Sequence, residues 1–237
     1  MNVWQRTARV SAWVLFGVAA LAIVYQSYYL LAFGMDRVIN ALLTGLSVLV
    51  PAVAGLALYA ASLQGEAQKR RVVRVVLWVL FGFYLMVLFS SLFFSRIDFL
   101  NYAAQHDFYR ANMDLMTNFV PFETITLYLR CLRYNYIGMA IPMTNLFGNF
   151  MLFMPMALLL PCLFSSMRTW WRFCLLMPLM LLAVEGLQLI LCCGSCDVDD
   201  VILNLSGTLL VYFLIRIPAI TRLLEKLYLM PPKAAAA

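Results

Sequence analysis

Glu185, Gln188, Asp197, Asp199, Asp200 and Asn204 fall within twenty residues of a chain that is otherwise overwhelmingly apolar. Glu185 and Gln188 are three apart and Asp200 and Asn204 four apart, spacings that put each pair on one helix face. Asn145 and Asn149 repeat the four-residue spacing in NLFGNFMLFMP. Side-chain amides hydrogen-bond sugar or peptide groups, a carboxylate in low dielectric exchanges protons, and clustered carboxylates hold a divalent cation. Three activities are open to such residues. The first is a binding pocket built from Asn145, Asn149, Glu185, Gln188, Asp197, Asp199, Asp200 and Asn204. The second is a membrane-embedded hydrolase or transferase acting on a lipid-linked substrate, with Glu185 as acid/base and a divalent metal at Asp197, Asp199 and Asp200. The third is a small transporter or flippase, for which no inverted repeat is visible.

The elements that must position these residues are set by composition. A chain of 237 residues that is 65% hydrophobic and 12% charged cannot hide that much apolar surface in one water-soluble domain. A bilayer core needs roughly 20 apolar residues per helical span, and six stretches qualify, near 11–33, 41–63, 75–95, 144–164, 173–192 and 201–217. The expected fold is an all-α, polytopic membrane helical bundle. The first stretch resembles a signal peptide behind Arg6 and Arg9, but its apolar run is long and lacks a small-x-small cleavage site, so it reads as an uncleaved span.

Basic residues accumulate on the cytoplasmic side of short loops. With an inside N-terminus, the inner pieces 1–10, 64–74, 165–172 and 216–237 hold twelve of the seventeen basic residues, from Arg6 and Arg9 through Lys69, Arg70, Arg71, Arg74, Arg168, Arg172 and Arg216 to Arg222, Lys226 and Lys233. Eight of the eleven acids fall outside, including Asp36 and the 197–200 group. Both termini are therefore expected in the cytoplasm. The net charge of +6 marks topology and contact with anionic headgroups, and no nucleic-acid partner is implied. The chain divides into a three-span region (1–95), an extracytoplasmic interfacial segment (96–143), a second three-span region (144–217) and a cytoplasmic tail (218–237). The interfacial segment is rich in aromatics, and its PFETITLYL is expected to dip into the membrane. The terminal KAAAA carries no assigned role.

Depth can be counted along the helices. Asn149, Gln188 and Asn204 each lie about 6 Å beneath the outer rim, with Glu185 a turn deeper and GSCDVDD as a lid, all expected to face one outward-opening hollow. A carboxylate at the depth of Glu185 costs roughly 2.5–3.5 kcal/mol even on lenient insertion scales and needs a partner or a cavity. Pro155 should free the carbonyl of Met151 and bend its helix. The plain alternative for the loop acids is a helix cap, by Asp199 or Asp200, at the start of the sixth span. Cys192, Cys193 and Cys196 cluster where a disulfide is permitted but lack a fourth ligand for zinc. The single histidine, His106, reads as interfacial, and no nucleophile–base pair is evident, which favours binding over catalysis. No cofactor is implied beyond the candidate divalent cation.

NFVPFETI (118–125), NLFGNFMLFMPMALLLP (145–161), EGLQ (185–188) and DVDDVILNLSG (197–207) resemble, in order and spacing, the signature blocks of the VanZ-like membrane proteins. The resemblance covers residues 118 to about 212 and leaves 1–110 without a quotable motif. Many members carry an arginine shortly before the acidic stretch, where this chain has CCGSC. The resemblance implies an all-helical membrane protein of the bacterial cell membrane, associated with low-level resistance to glycopeptide antibiotics, teicoplanin in particular. The partners it suggests are membrane lipids, a lipid-linked cell-wall precursor or the glycopeptide itself.

Overall fold

The computed structural model describes residues 3–33, 38–134, 136 and 138–231. Asp36, Lys233 and the terminal alanines lie outside them. The helices are α1 (Val3–Phe33), α2 (Val38–Ser62), α3 (Glu66–Phe89), α4 (Tyr102–Ala111), α5 (Glu123–Tyr134), α6 (Ala140–Leu152), α7 (Met154–Leu163), α8 (Trp170–Ile190), α9 (Val198–Leu214) and α10 (Pro218–Lys226). Two short strands, β1 (Thr117–Asn118) and β2 (Cys196–Asp197), pair in parallel. The fold is all-α, as composition requires.

Four stretches are long and apolar enough to cross a bilayer: Val3–Gln26, Glu66–Phe94, Ala140–Leu163 and Trp170–Ile190. A fifth is reached by joining α9 and α10, which bend by 77° at their junction, and the described apolar part of α2, Ser47–Ser62, is shorter. All six expected stretches are helical, but their limits shift where charge sits on a helix. α3 begins at Glu66, so Lys69, Arg70, Arg71 and Arg74 belong to its first turns rather than to a loop. α9 begins at Val198 because its first turn is acidic, which suits the positive end of the helix dipole and escapes a hydropathy count.

Apolar side chains such as Trp13, Leu21, Val79, Leu175, Leu182 and Phe213 point outward along the long helices, as a lipid solvent permits. The inner core joins α3, α7, α8 and α9 around Phe153, Phe173, Met177 and Tyr212. Phe173 and Tyr212 stack at 4.0 Å. The Tyr212 hydroxyl donates to the carbonyls of Met167 and Arg168, and Arg216 Nη1 donates to the latter at 2.7 Å. α1 and α2 form a hairpin in which Ala8, Ala12 and Ala19 of one helix and Val48 and Ala52 of the other are buried, and Gly55 faces Ala12 and Phe16.

The break at Phe153 divides the fourth span. Pro155 stands at the start of α7, Met151 O accepts from the Phe153 N–H, and Met156 N turns to Phe153 O. The carbonyl left over is that of Leu152, which takes the Tyr84 hydroxyl at 2.9 Å. The break therefore presents a backbone carbonyl to α3.

The loops sort into two ends. At one, Arg9 meets Ser62, Tyr228 meets Glu66, and Arg216 meets Arg168. At the other, Gln105 meets Cys192 and Asn118 meets Asp197. The segments predicted to lie inside touch one another, and so do those predicted to lie outside.

Candidate functional site

The end that gathers residues 105, 118 and 192–200 is organised by the acids of 197–200, and each takes a different partner. Asp197 caps α9: its backbone is extended and its carboxylate accepts the Asp199 N–H at 2.8 Å. The cap is therefore Asp197, not Asp199 or Asp200, because α9 starts at Val198. The same carboxylate accepts from Thr124 Oγ1 at 2.6 Å and Asn118 Nδ2 at 3.1 Å.

Asp199 is fully buried and reaches away from its own helix. Its two oxygens accept the backbone N–H groups of Phe122, at 2.5 Å, and Ile125, at 3.0 Å. Phe122 O accepts from Thr126 N, so Phe122 is the N-cap of α5 and Ile125 its third residue. A capping box satisfies those two donors with local side chains; here one carboxylate from α9 serves both. Phe122 adopts a left-handed conformation, φ 66°, which a bulky residue holds only when its surroundings impose it. β1 and β2 align the two partners, since Asn118 stands opposite Asp197.

Asp200 accepts from Asn149 Nδ2 on α6. Asn204 Nδ2 donates back to Asp200 O at 2.7 Å, and Asn204 Oδ1 is buried without a hydrogen-bond partner among the described residues. Glu185, 7% exposed, accepts the Asp197 N–H at 3.3 Å and ties α8 to the cap of α9. No lysine, arginine or histidine forms a salt bridge to it among the described residues. Instead the Arg96 guanidinium lies within electrostatic reach of Glu185 and Asp200.

Asn149, Glu185, Asp197, Asp199, Asp200 and Asn204 thus form one network, while two predicted members turn elsewhere. Asn145 donates to Ile141 O of its own helix. Gln188 donates to Leu92 O at 3.0 Å, within the turn of π-helix, Ser90–Phe94, that ends α3. Arg96 N bonds Phe93 O there, which leaves the Leu92 carbonyl available. A count along each helix does not fix which way a side chain faces. The three aspartates diverge, and no group of three His, Cys, Asp or Glu that could hold a metal ion occurs among the described residues.

Residues with no signal in the reading of single helices complete the site. Asn118, Phe122 and Thr124 sit inside NFVPFETI, whose pairing with DVDD is a long-range contact. Gln105 straps the outer segment down, with Nε2 donating to Arg96 O and Cys192 O, and Oε1 accepting the Asp98 N–H. Arg96 lies beside Gly194 of CCGSC: a Cβ there would stand 3.1 Å from Arg96 Nη1 and from Gln188 Cδ.

The rim cysteines are free thiols in the structure. Burial, with the charges of Glu185 and Asp197, pushes the Cys196 thiol above its ordinary value, and burial does the same for Cys193. Cys192 adopts φ 51° and ends α8 in a Schellman turn, with Cys193 N on Gln188 O and Cys192 N on Leu189 O. His106 faces Asp107 on α4, apart from the network.

Two open clefts lie on the surface of the described residues. One of about 440 Å³ lies against the first turns of α5, lined by Pro121, Phe122, Glu123, Thr126, Leu127 and Arg130. The other, about 320 Å³, is at the opposite end.

A family model described as VanZ/LLP1 matches residues 81–220. It takes in the last nine residues of α3, Arg96 and Gln105 in addition to the region of the quoted blocks. No curated protein and no solved structure matches the chain.

Proposed function

The chain belongs to the VanZ/LLP1 family, and from that premise we propose that it is a multi-pass protein of the bacterial plasma membrane that contributes to low-level glycopeptide resistance, teicoplanin in particular. It does so by binding or shielding a cell-envelope lipid or peptidoglycan precursor at the outer leaflet. Both termini lie in the cytoplasm, a reading supported by the basic residues of the inner pieces.

The observation that carries the binding reading is the cleft on α5, whose first turn is held from behind by Asp199. Its lining combines Phe122 and Leu127 with Thr126, Glu123 and Arg130. That mixture suits an amphipathic molecule: apolar contact for a lipid chain, a guanidinium for a phosphate, and hydroxyl and carboxylate for a sugar or peptide. The deeper network supplies rigidity, since the three aspartates are engaged by neutral donors.

Glu185 favours a second reading. It is buried and engaged by one long hydrogen bond, which suits proton transfer in a membrane-embedded hydrolase or transferase acting on a lipid-linked substrate. The divergence of Asp197, Asp199 and Asp200 argues against a metal shared by all three.

Titrating the purified chain in nanodiscs with a fluorescent lipid-linked peptidoglycan precursor separates these readings. The binding reading expects saturable association without product, weakened about tenfold by Arg130→Gln and little changed by Glu185→Gln. Product formation abolished by Glu185→Gln establishes the second reading, and absence of both binding and product overturns the proposal.

A further inference from the structure

At the end of the molecule opposite the acidic network, outside the family match, the 320 Å³ cleft is lined by Gln5 and Arg9 of α1, Ser62 at the end of α2, Gln64 and Gly65 of the connecting turn, and Gln68 of α3. We propose that this cleft is a binding site for the phosphate of an anionic phospholipid headgroup, with Arg9 as its principal ligand.

Arg9 is fixed before any ligand arrives. Its Nε donates to Ser62 Oγ at 3.2 Å, and Ser62, 1% exposed, is itself held by donating to Tyr59 O at 2.7 Å. With Nε engaged, the guanidinium is held at one edge, a posture that turns its terminal donors to a phosphate in the cleft. The wall opposite is the start of α3, where Gly65 is an extended N-cap with no side-chain hydrogen bond. The positive end of that helix adds to the attraction for an anion.

The surrounding charge is of one sign. Arg6, Arg70, Arg71 and Arg74 lie on the adjoining turns of α1 and α3, and the single acid of the first turn of α3, Glu66, is held by the Tyr228 hydroxyl at 2.9 Å and Lys69 at 3.3 Å. Exposed Trp4 stands at the start of α1, about a turn before Arg9. Tryptophan on a span end marks headgroup depth, which favours a lipid phosphate over a soluble one. The volume matches the lower range of small-molecule sites, about 300 Å³, enough for a headgroup and not for a second helix.

Native mass spectrometry of the full chain, stripped of lipid and titrated with phosphatidylglycerol or phosphatidylcholine, tests the proposal. Phosphatidylglycerol should bind at least about tenfold tighter, Arg9→Gln should remove that preference, and Arg6→Gln, which changes the same charge outside the lining, should keep it. Gln64→Glu places a repelling charge at the mouth without touching the Arg9–Ser62 bond, so it should also weaken binding in a chain with unchanged melting. Equal losses from Arg6→Gln and Arg9→Gln, no preference between the two lipids, or full displacement by millimolar inorganic phosphate would each overturn it.

Discussion

The α1–α2 hairpin and the end of the family region around residues 118–125 and 197–200 both hold apolar helices together in surroundings where water supplies little drive, and they do so by different means. The hairpin is a seam of small residues. A Cβ on Gly55 would stand 3.1 Å from the Phe16 ring and 3.2 Å from Ala12 O, close enough for dispersion to act along the crossing. The region from α5 to α9 adds a polar clasp, in which carboxylates from one element satisfy backbone and side-chain donors of three others. Small-residue seams tolerate sliding, because their contacts are many and weak. A clasp of buried charge-assisted hydrogen bonds has one register, since every misplaced donor leaves a buried group unsatisfied. The family match falls on the clasp and leaves the hairpin out.

The sharpest break in that comparison comes from the glycines. At Gly207 a methyl group would overlap the Phe150 carbonyl of α6, which is backbone and cannot rotate away. Gly207→Ala should cost about 3 kcal/mol or prevent assembly, whereas Gly55→Ala, which meets the Phe16 ring at 3.1 Å and the Ala12 carbonyl at 3.2 Å, tight but without overlap, should cost less, about 1 kcal/mol. Thermal melting of the two variants in one detergent checks the ordering.

Asp199→Asn comes next. An amide can accept one of the two α5 N–H groups but turns a donor toward the other, so a loss of about 2 kcal/mol is expected, with faster proteolysis confined to 118–134. Ser62→Ala, the corresponding removal in the hairpin, should cost about 1 kcal/mol or less. Phe122→Gly sharpens the comparison from the other side. Removing the side chain from a left-handed position should raise stability by about 1 kcal/mol, while weakening precursor binding through loss of a cleft wall. The two readouts moving in opposite directions is the expected signature.

The smallest effect belongs to Asp98, at the approach to α4. The Asn101 side chain and the backbone N–H groups of Asn101 and Leu100 hydrogen-bond its carboxylate and hold it below the ordinary aspartate value of 3.8. A lowered folded value means that the ordering of 98–101 is present above the ordinary value and lost as pH falls through the folded one. Amide exchange at Leu100 and Asn101 should quicken only under such acid conditions, and Asp98→Asn should remove the dependence.

Much of this architecture was legible in residue order. Long apolar runs mark the helices because each must span the same thickness of hydrocarbon, and the basic residues sort the ends because the loops on one side share one electrostatic environment. The polar residues of α6, α8 and α9 were visible as ionisable and amide groups in lipid-facing company. Their partners were not. Asp199 reads as an ordinary first-turn acid of its own helix until β1 and β2 set NFVPFETI beside it. Gln188 and Asn149 are both amides on apolar helices, yet a turn of π-helix gives one of them a carbonyl at the end of α3 while the other meets Asp200. Arg96 carries no motif and enters the site through the space left by Gly194. Long-range placement decided each of these, and helical periodicity has no access to it.

Hydrogen–deuterium exchange of the full chain in nanodiscs, with and without a lipid-linked peptidoglycan precursor, tests the central claim that the clasp supports the ligand site. Slowed exchange confined to residues 118–134 and 196–200, with no change in α1 or α2, is the predicted result. Protection that falls on the hairpin, or none anywhere at saturating precursor, would contradict it.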